Sequence, residues 1–310
     1  MRTAIAFLIT VLIFAAAAFG AEPYVLVLGV GQDAGVPQMG CGSPFCERAW
    51  KDGSLRRTVS SIALVDPRTK KRWIFDATPD LAEQFQMLKE KTGDYSNGLS
   101  GIFLTHAHIG HYTGLIYLGR ESMNSKGVPV YAMPRMAGFL ESNGPWSQLV
   151  ELNNIEVRRL KAGEAADLGE GLSVTPFLVP HRDEFSETAG FRISFGTKSL
   201  VFIPDIDKWQ KWDRKLAEVV SENDYLLVDA TFFKDGEIPR PISEVPHPFI
   251  TETIDLLKER PVAERNKVYL IHFNHSNPVV QGDAEAIRTV TAAGLRIAEA
   301  GMVLPLGAGK

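Results

Sequence analysis

A chain of 310 residues that is 45% hydrophobic and 23% charged can bury a substantial core, which excludes a disordered or fibrous protein. Its formal net charge of −4 supplies no overall field favouring nucleic acid or an anionic membrane. Neither a repeat at solenoid or propeller spacing nor a low-complexity tract occurs.

The first residues differ from the rest. Arg2 forms a short positive region, residues 4–18 are apolar apart from Thr10, and Ala18 and Gly20 place small residues before a cut at Ala21. This is the anatomy of a secretory signal peptide. It predicts that residues 1–20 are removed and that residues 21–310 form one periplasmic or secreted domain. The apolar run is short against the roughly 20 residues of a full span, so no stable membrane span is expected after cleavage.

Residues 24–29 are β-branched and apolar and end in glycine, predicting a strand. Residues 61–65 and 72–76 read as a hairpin around the turn 66–70, and Leu81, Phe85 and Leu88 form one stripe of a helix over 81–91. A short buried strand over 101–105 is followed by a helix expected over 111–123. Further strands are expected at 129–133, 155–160, 172–179, 190–195, 199–204, 225–229 and 267–272. Helices are expected at 209–220, 249–259 and 283–293. Strands and hairpins with interspersed helices in each half suit two packed sheets with helices outside.

The chemistry lies in the seven histidines. His106, His108 and His111 fall within six residues, directly after the strand at 101–105. In extended chain His106 and His108 project the same way, and His111 arrives from the following helical turn. Three converging imidazoles suit Zn²⁺ or another borderline transition metal. His181, His247, His272 and His275 stand near the ends of strands or in loops. Asp76 and Asp205 each close an apolar strand.

The run Thr105-His106-Ala107-His108-Ile109-Gly110-His111 resembles the H-x-H-x-D-H signature of the metallo-β-lactamase superfamily, and the resemblance extends over the mature chain. It implies an α+β fold, the αββα four-layer sandwich, with one or two metal ions at one edge of the sheets. Carried over by position, His106, His108 and His181 would hold the first metal. His111 and His272 would hold the second, and Asp205 would bridge the two and orient the nucleophile. Asp76 would orient a ligand imidazole, with Asp80 beside it. His247 matches a histidine that serves as general acid in the tRNase Z and phosphodiesterase branches. The segment from Gly29 to Cys46 is similar to the N-terminus of the branch holding pyrroloquinoline-quinone biosynthesis protein B and the related cyclic phosphodiesterases. That branch carries C-x-C-x-x-C for a structural zinc, whereas this chain reads Cys41-Gly42-Ser43-Pro44-Phe45-Cys46. With one thiolate gone, Cys41 and Cys46 form a disulfide, as an exported chain permits, keep a residual zinc together with His275, or remain free thiols.

The resemblance implies a hydrolase that uses one or two Zn²⁺ ions, with iron or manganese as alternatives, on a small-molecule substrate, a phosphodiester or similar ester. A two-histidine, one-carboxylate set also matches open Fe(II) oxygenase sites, so an oxidative role related to pyrroloquinoline quinone is the rival, with a non-catalytic carrier third. No nucleic-acid signal is present, and the oligomeric state is not legible. One departure remains: Gly110 stands where the family carries an aspartate ligand of the second metal. The second site is then weak or empty, or Asp80 or Asp207 substitutes, or the site favours iron. If the carboxylate is simply missing, Gly110→Asp should raise second-metal occupancy.

Overall fold

In the first strand, β1 (Tyr24–Gly29), Val25 and Val27 enter one core while Leu26 and Leu28 enter another. Side chains alternate with period two, so a strand apolar at every position must be covered on both faces. The computed structural model describes residues 22–241 and 244–307, and the expected signal peptide lies outside the described residues. Beside β1 lie β2 (Ser61–Asp66), β3 (Lys71–Phe75), β4 (Gly101–Phe103), β5 (Val128–Ala132) and β6 (Ile155–Arg159). A second sheet contains β7 (Ala166–Gly169), β8 (Leu172–Leu178), β9 (Ala189–Phe195), β10 (Lys198–Ile203), β11 (Tyr225–Asp229), β12 (Val268–Ile271) and β13 (Arg296–Ile297). The last strand, β14 (Val303–Pro305), returns to pair with β1. Strand order is β14-β1-β2-β3-β4-β5-β6 in one sheet and β13-β12-β11-β10-β9-β8-β7 in the other.

The two sheets face each other across Phe75, Phe103, Phe191 and Phe202, all fully buried. The Phe75 and Phe103 rings stack at 4.9 Å, and Phe191 meets both edge-on at 5.5 and 5.6 Å. The helices in chain order are α1 (Pro44–Lys51), α2 (Leu81–Thr92), α3 (Ile109–Tyr112), α4 (Pro134–Ser142), α5 (Trp146–Glu151), α6 (Leu216–Glu222), α7 (Ile250–Leu257), α8 (Val262–Arg265) and α9 (Ala284–Ala292). Leu88 of α2, Met136 and Leu140 of α4 and Leu149 of α5 cover the outer face of the first sheet. Val219 and Val220 of α6, Leu257 of α7 and Val290 of α9 join the buried cluster of the second. The result is the αββα sandwich. Among the described residues no helix is long and apolar enough to cross a membrane.

The helix expected over 111–123 is instead the single turn α3 followed by a 3₁₀ helix, Thr113–Leu118. The Gly114 N–H bonds the Ala77 carbonyl at 2.9 Å, which draws the chain against the loop after β3. The helix expected over 209–220 is likewise a 3₁₀ turn, Trp209–Lys211, and then α6. Two buried indoles divide it: Trp209 donates to Thr253 and Trp212 to the Leu178 carbonyl. Helices α1, α4 and α5 were not anticipated, being short and opened by proline or interrupted by glycine.

Strands β3 to β6 run parallel, as do β10 to β13. Their carboxyl ends open on one edge of the sandwich, where parallel sheets collect ligand-binding groups.

Candidate metal centre

Most of the candidate side chains are delivered at or just beyond strand ends. Asp76 follows β3, Thr105 and His106 follow β4, and His181 lies beyond β8. Asp205 lies just after β10, Asp229 ends β11 and His272 follows β12. Asp76 and His272 both adopt left-handed backbone, with φ of 67° and 68°. Few non-glycine residues do so, and such positions concentrate at functional sites.

The donors form two groups that share buried Asp205. In the first, His106 Nε2 lies 2.8 Å from His108 Nδ1 and 3.7 Å from Asp205 Oδ2, and His181 Nε2 lies 3.8 Å from Asp205 Oδ1. In the second, Asp205 Oδ2 is 2.9 Å from His111 Nε2 and 3.1 Å from His272 Nε2. Asp33, on the loop after β1, completes this group: its Oδ1 is 3.1 Å from His111 Nε2 and 3.8 Å from His272 Nε2. The donor atoms of His106, His108 and His181 lie within 4.8 Å of one another, as do those of Asp33, His111, Asp205 and His272.

The same anchoring device appears in both sheets. Asp76 accepts the Thr105 N–H at 2.8 Å, its hydroxyl at 2.9 Å and His111 Nδ1–H at 2.7 Å. Asp229 accepts the Thr231 N–H at 2.9 Å, its hydroxyl at 2.7 Å and His247 Nδ1–H at 2.8 Å. Each threonine hydroxyl donates its hydrogen bond to a carboxylate, so its oxygen accepts from a second imidazole. Thr105 holds His106 Nδ1 and Thr231 holds His272 Nδ1, both at 2.9 Å. With Nδ1 protonated and engaged, the Nε2 lone pairs of His106, His111 and His272 point to the centre, as a metal requires. His108 is inverted: its Nε2 bonds Glu184 at 3.0 Å and Nδ1 faces inward.

Electrostatics agree with a cation at this point. Burial, reinforced by His111, holds His106 well below the usual imidazole range, and burial lowers His181 to about 4, so both are neutral ligands. Burial alone would raise Asp205, but His272, His111 and His181 hold it well below the carboxylate range. Burial also opposes charge on His111, yet Asp76, Asp205 and Asp33 outweigh it and raise its pKa well above the usual value. Three carboxylates around one imidazole are a field that favours positive charge. Finally, His181 Nε2, Asp205 Oδ2 and His272 Nε2 are buried without a hydrogen bond. Unpaired buried polar atoms are costly, and metal ions held in the two groups would satisfy them. The nitrogen and oxygen donors therefore fit one or two borderline divalent ions.

The structure brings together His106, His108, His111, His181, Asp205, His247 and His272, with Asp76 behind them. Asp80 is elsewhere: its carboxylate accepts the Val59 N–H at 2.8 Å and orients no imidazole. Asp207 pairs with Lys211 and does not reach the second group. Cys41 and Cys46 are joined in a disulfide with Cα atoms 6.0 Å apart, and His275 lies beside them. Ser43 caps α1 by accepting the Cys46 N–H at 3.2 Å, with Pro44 next to it. Sequence reasoning missed Asp33, Asp229, Thr231 and Glu184 as site residues. Asp229 carried the same signal as Asp76 and Asp205, an acidic residue closing an apolar strand.

A family model described as a β-lactamase superfamily domain matches residues 71–273. Coenzyme PQQ synthesis protein B of Methylobacterium sp. (strain 4-46) is 28% identical over 309 residues, covering 91% of this chain and 99% of that protein. The protein of the same description from Gluconobacter oxydans (strain 621H) is 27% identical, covering 91% and 98%. Among solved structures, zinc-bound PqqB from Methylobacterium extorquens superposes with a TM-score of 0.74 at 24% identity, covering 91% of this chain and all of that one. A diphosphatase from the PhnP family gives 0.65 at 23%, covering 91% and 96%. At these identities the structural likenesses establish the fold.

Two outcomes follow from the site's construction. Asp76 is fully buried and holds three donors, so Asp76→Ala should cost about 3 kcal/mol in urea unfolding. Asp76→Asn keeps an acceptor and tolerates left-handed backbone, and should cost less; a wild-type midpoint for the alanine variant would contradict the anchoring role. His181 binds a proton only near pH 4 in the fold but near its ordinary 6.5 when unfolded. The unfolded chain therefore binds more protons in that window, and metal-free protein should lose stability as pH falls from about 6.5 to about 4. In EDTA, His181→Asn should flatten that decline, and an unchanged slope would refute the assignment.

Proposed function

Because the chain belongs to the metallo-β-lactamase superfamily, we propose that it is a metal-dependent hydrolase acting on a phosphodiester or similar ester of a small molecule. The observation that carries this reading is the convergence of His106, His181, His111 and His272 on one buried carboxylate, Asp205, with His108 beside His106 and His181 and the His247–Asp229 pair next to them. One or two ions, zinc or otherwise manganese or iron, would be held by His106, His108 and His181 and by His111 and His272, with Asp205 between. An ion there supplies Lewis acidity and lowers the pKa of water towards about 7.

The protein's own groups do the rest. Asp205 stays ionised at neutral pH, so its carboxylate can accept a hydrogen bond from the attacking water and orient it. His247 is buried, which would lower its pKa, but Asp229 at 2.8 Å raises it, so the imidazole retains a proton for the leaving-group oxygen. Glu184 and Asp76 hold His108 and His111 by their outer nitrogens. Ile109 and Phe185, exposed next to His108 and Glu184 in sequence, offer apolar contacts to the rest of a substrate.

A second reading draws on the relatives. The matched curated proteins are described as acting in coenzyme PQQ synthesis, so an iron-dependent oxidative step on a quinone precursor is the alternative. Elemental analysis after anaerobic purification, followed by assay of bis(p-nitrophenyl) phosphate, separates them. The hydrolase reading expects turnover with zinc or manganese. Exclusive iron with no ester cleavage would favour the alternative. His108→Ala should remove about one equivalent of metal and abolish turnover, and unchanged metal content would sink the ligand assignment.

Export is part of the proposal and rests on residues 1–20. The mature protein recovered from the periplasm or medium should begin at Ala21 by intact mass, whereas a chain retained inside the cell with Met1 to Gly20 still attached would reject it.

A further inference from the structure

Glycine at 110 is required by space. Gly110 lies in the helical turn α3, whose backbone any residue can adopt. A Cβ built on it would lie 2.4 Å from the Cα of Asp33, 2.5 Å from its Oδ1 and 3.0 Å from its Cβ. Real Cβ atoms do not approach backbone so closely. An aspartate at position 110 and the Asp33 side chain would occupy the same volume.

We propose that Asp33 is the carboxylate ligand of the second metal, brought from the loop after β1 into the place that Gly110 leaves open. Its Oδ1 faces both histidine donors of that group, at 3.1 Å from His111 Nε2 and 3.8 Å from His272 Nε2. Two other atoms of the same group, Asp205 Oδ2 and His272 Nε2, are buried without hydrogen bonds, which is the independent sign of an ion between them. The supporting loop is fixed. Gly31 bridges to Val59 and to Phe273, the Gln32 N–H bonds the Phe273 carbonyl at 2.9 Å, and the Asn274 amide bonds the Gln32 side chain. Phe273 follows His272 directly, so one backbone contact sets the position of both ligands. Gly35, at φ of 70°, turns the chain back and donates to the Gln32 carbonyl at 2.7 Å. The second ion would thus tie the N-terminal loop to the end of β12, using two histidines and two carboxylates.

The inference rests on the metal reading above, and its test separates the two. Metal content by mass spectrometry and the rise in melting temperature on adding Zn²⁺ to EDTA-treated protein are measured for wild type, Asp33→Asn, Gly110→Asp and the double variant Asp33→Gly/Gly110→Asp. Wild type should hold two equivalents. Asp33→Asn, which preserves shape, should lose about one equivalent and part of the zinc-induced rise, while its melting temperature in EDTA stays close to wild type. Gly110→Asp alone should also lose metal through the clash. The double variant, with the carboxylate moved back to the helix, should regain the second equivalent. Two equivalents retained by Asp33→Asn, or a Gly110→Asp variant that gains metal, would overturn the assignment while leaving the metal reading intact. A wild type that binds no metal would overturn both.

Discussion

The site depends on one buried negative charge. Asp205 is 3% exposed and lies where the edges of both sheets meet, with His106, His111, His181, His247 and His272 within 4 Å of its oxygens. An isolated carboxylate there would be expelled or protonated, because removing a charge from water costs several kcal/mol even after relaxation. Imidazoles alone do not settle the balance, since burial drives His106 and His181 neutral. The arrangement suits a cation, and the field of Asp76, Asp205 and Asp33 that raises the pKa of His111 is the field such an ion would meet.

Keeping those imidazoles aimed inward is the task of the second pair of aspartates. Asp76 and Asp229 occupy corresponding places, one at a strand end in each sheet, and each binds a threonine two ways and an imidazole once. The threonine passes the constraint to a second imidazole, so two carboxylates fix the tautomer and orientation of four histidines. Loss of such an outer partner typically costs about 10- to 100-fold in metal affinity. The device differs in one respect. The first sheet uses it to position two metal-facing histidines, His106 and His111, whereas the second uses it for one, His272, and for His247. The fold thereby sets His247 beside the other histidines with the same parts.

Much of this was legible in sequence because the site is made of strand ends. An apolar run closed by Asp or His, as at Asp76, Asp205 and His272, announces a side chain at the open edge of a sheet. The histidine triplet then supplies the ligand chemistry. Asp33 was illegible for the opposite reason: it lies in a glycine-rich loop 78 positions from His111, and only the folded chain shows that its side chain fills the space beside Gly110. Asp80 misled because it stands near the motif strand, yet helix α2 turns it towards the Val59 amide. The helices predicted too long, over 111–123 and 209–220, failed where tertiary contacts of Gly114 and of Trp209 and Trp212 outweighed local periodicity.

The central claim, that the buried carboxylate sits between two metal ions, is tested most directly by anomalous diffraction from crystals of the purified protein, recorded on both sides of the metal absorption edge. Two peaks are expected, one among His106, His108 and His181 and one between His111 and His272, with Asp205 touching both. A fully ordered site with no anomalous peak, its imidazoles hydrogen-bonded to water, would contradict the account.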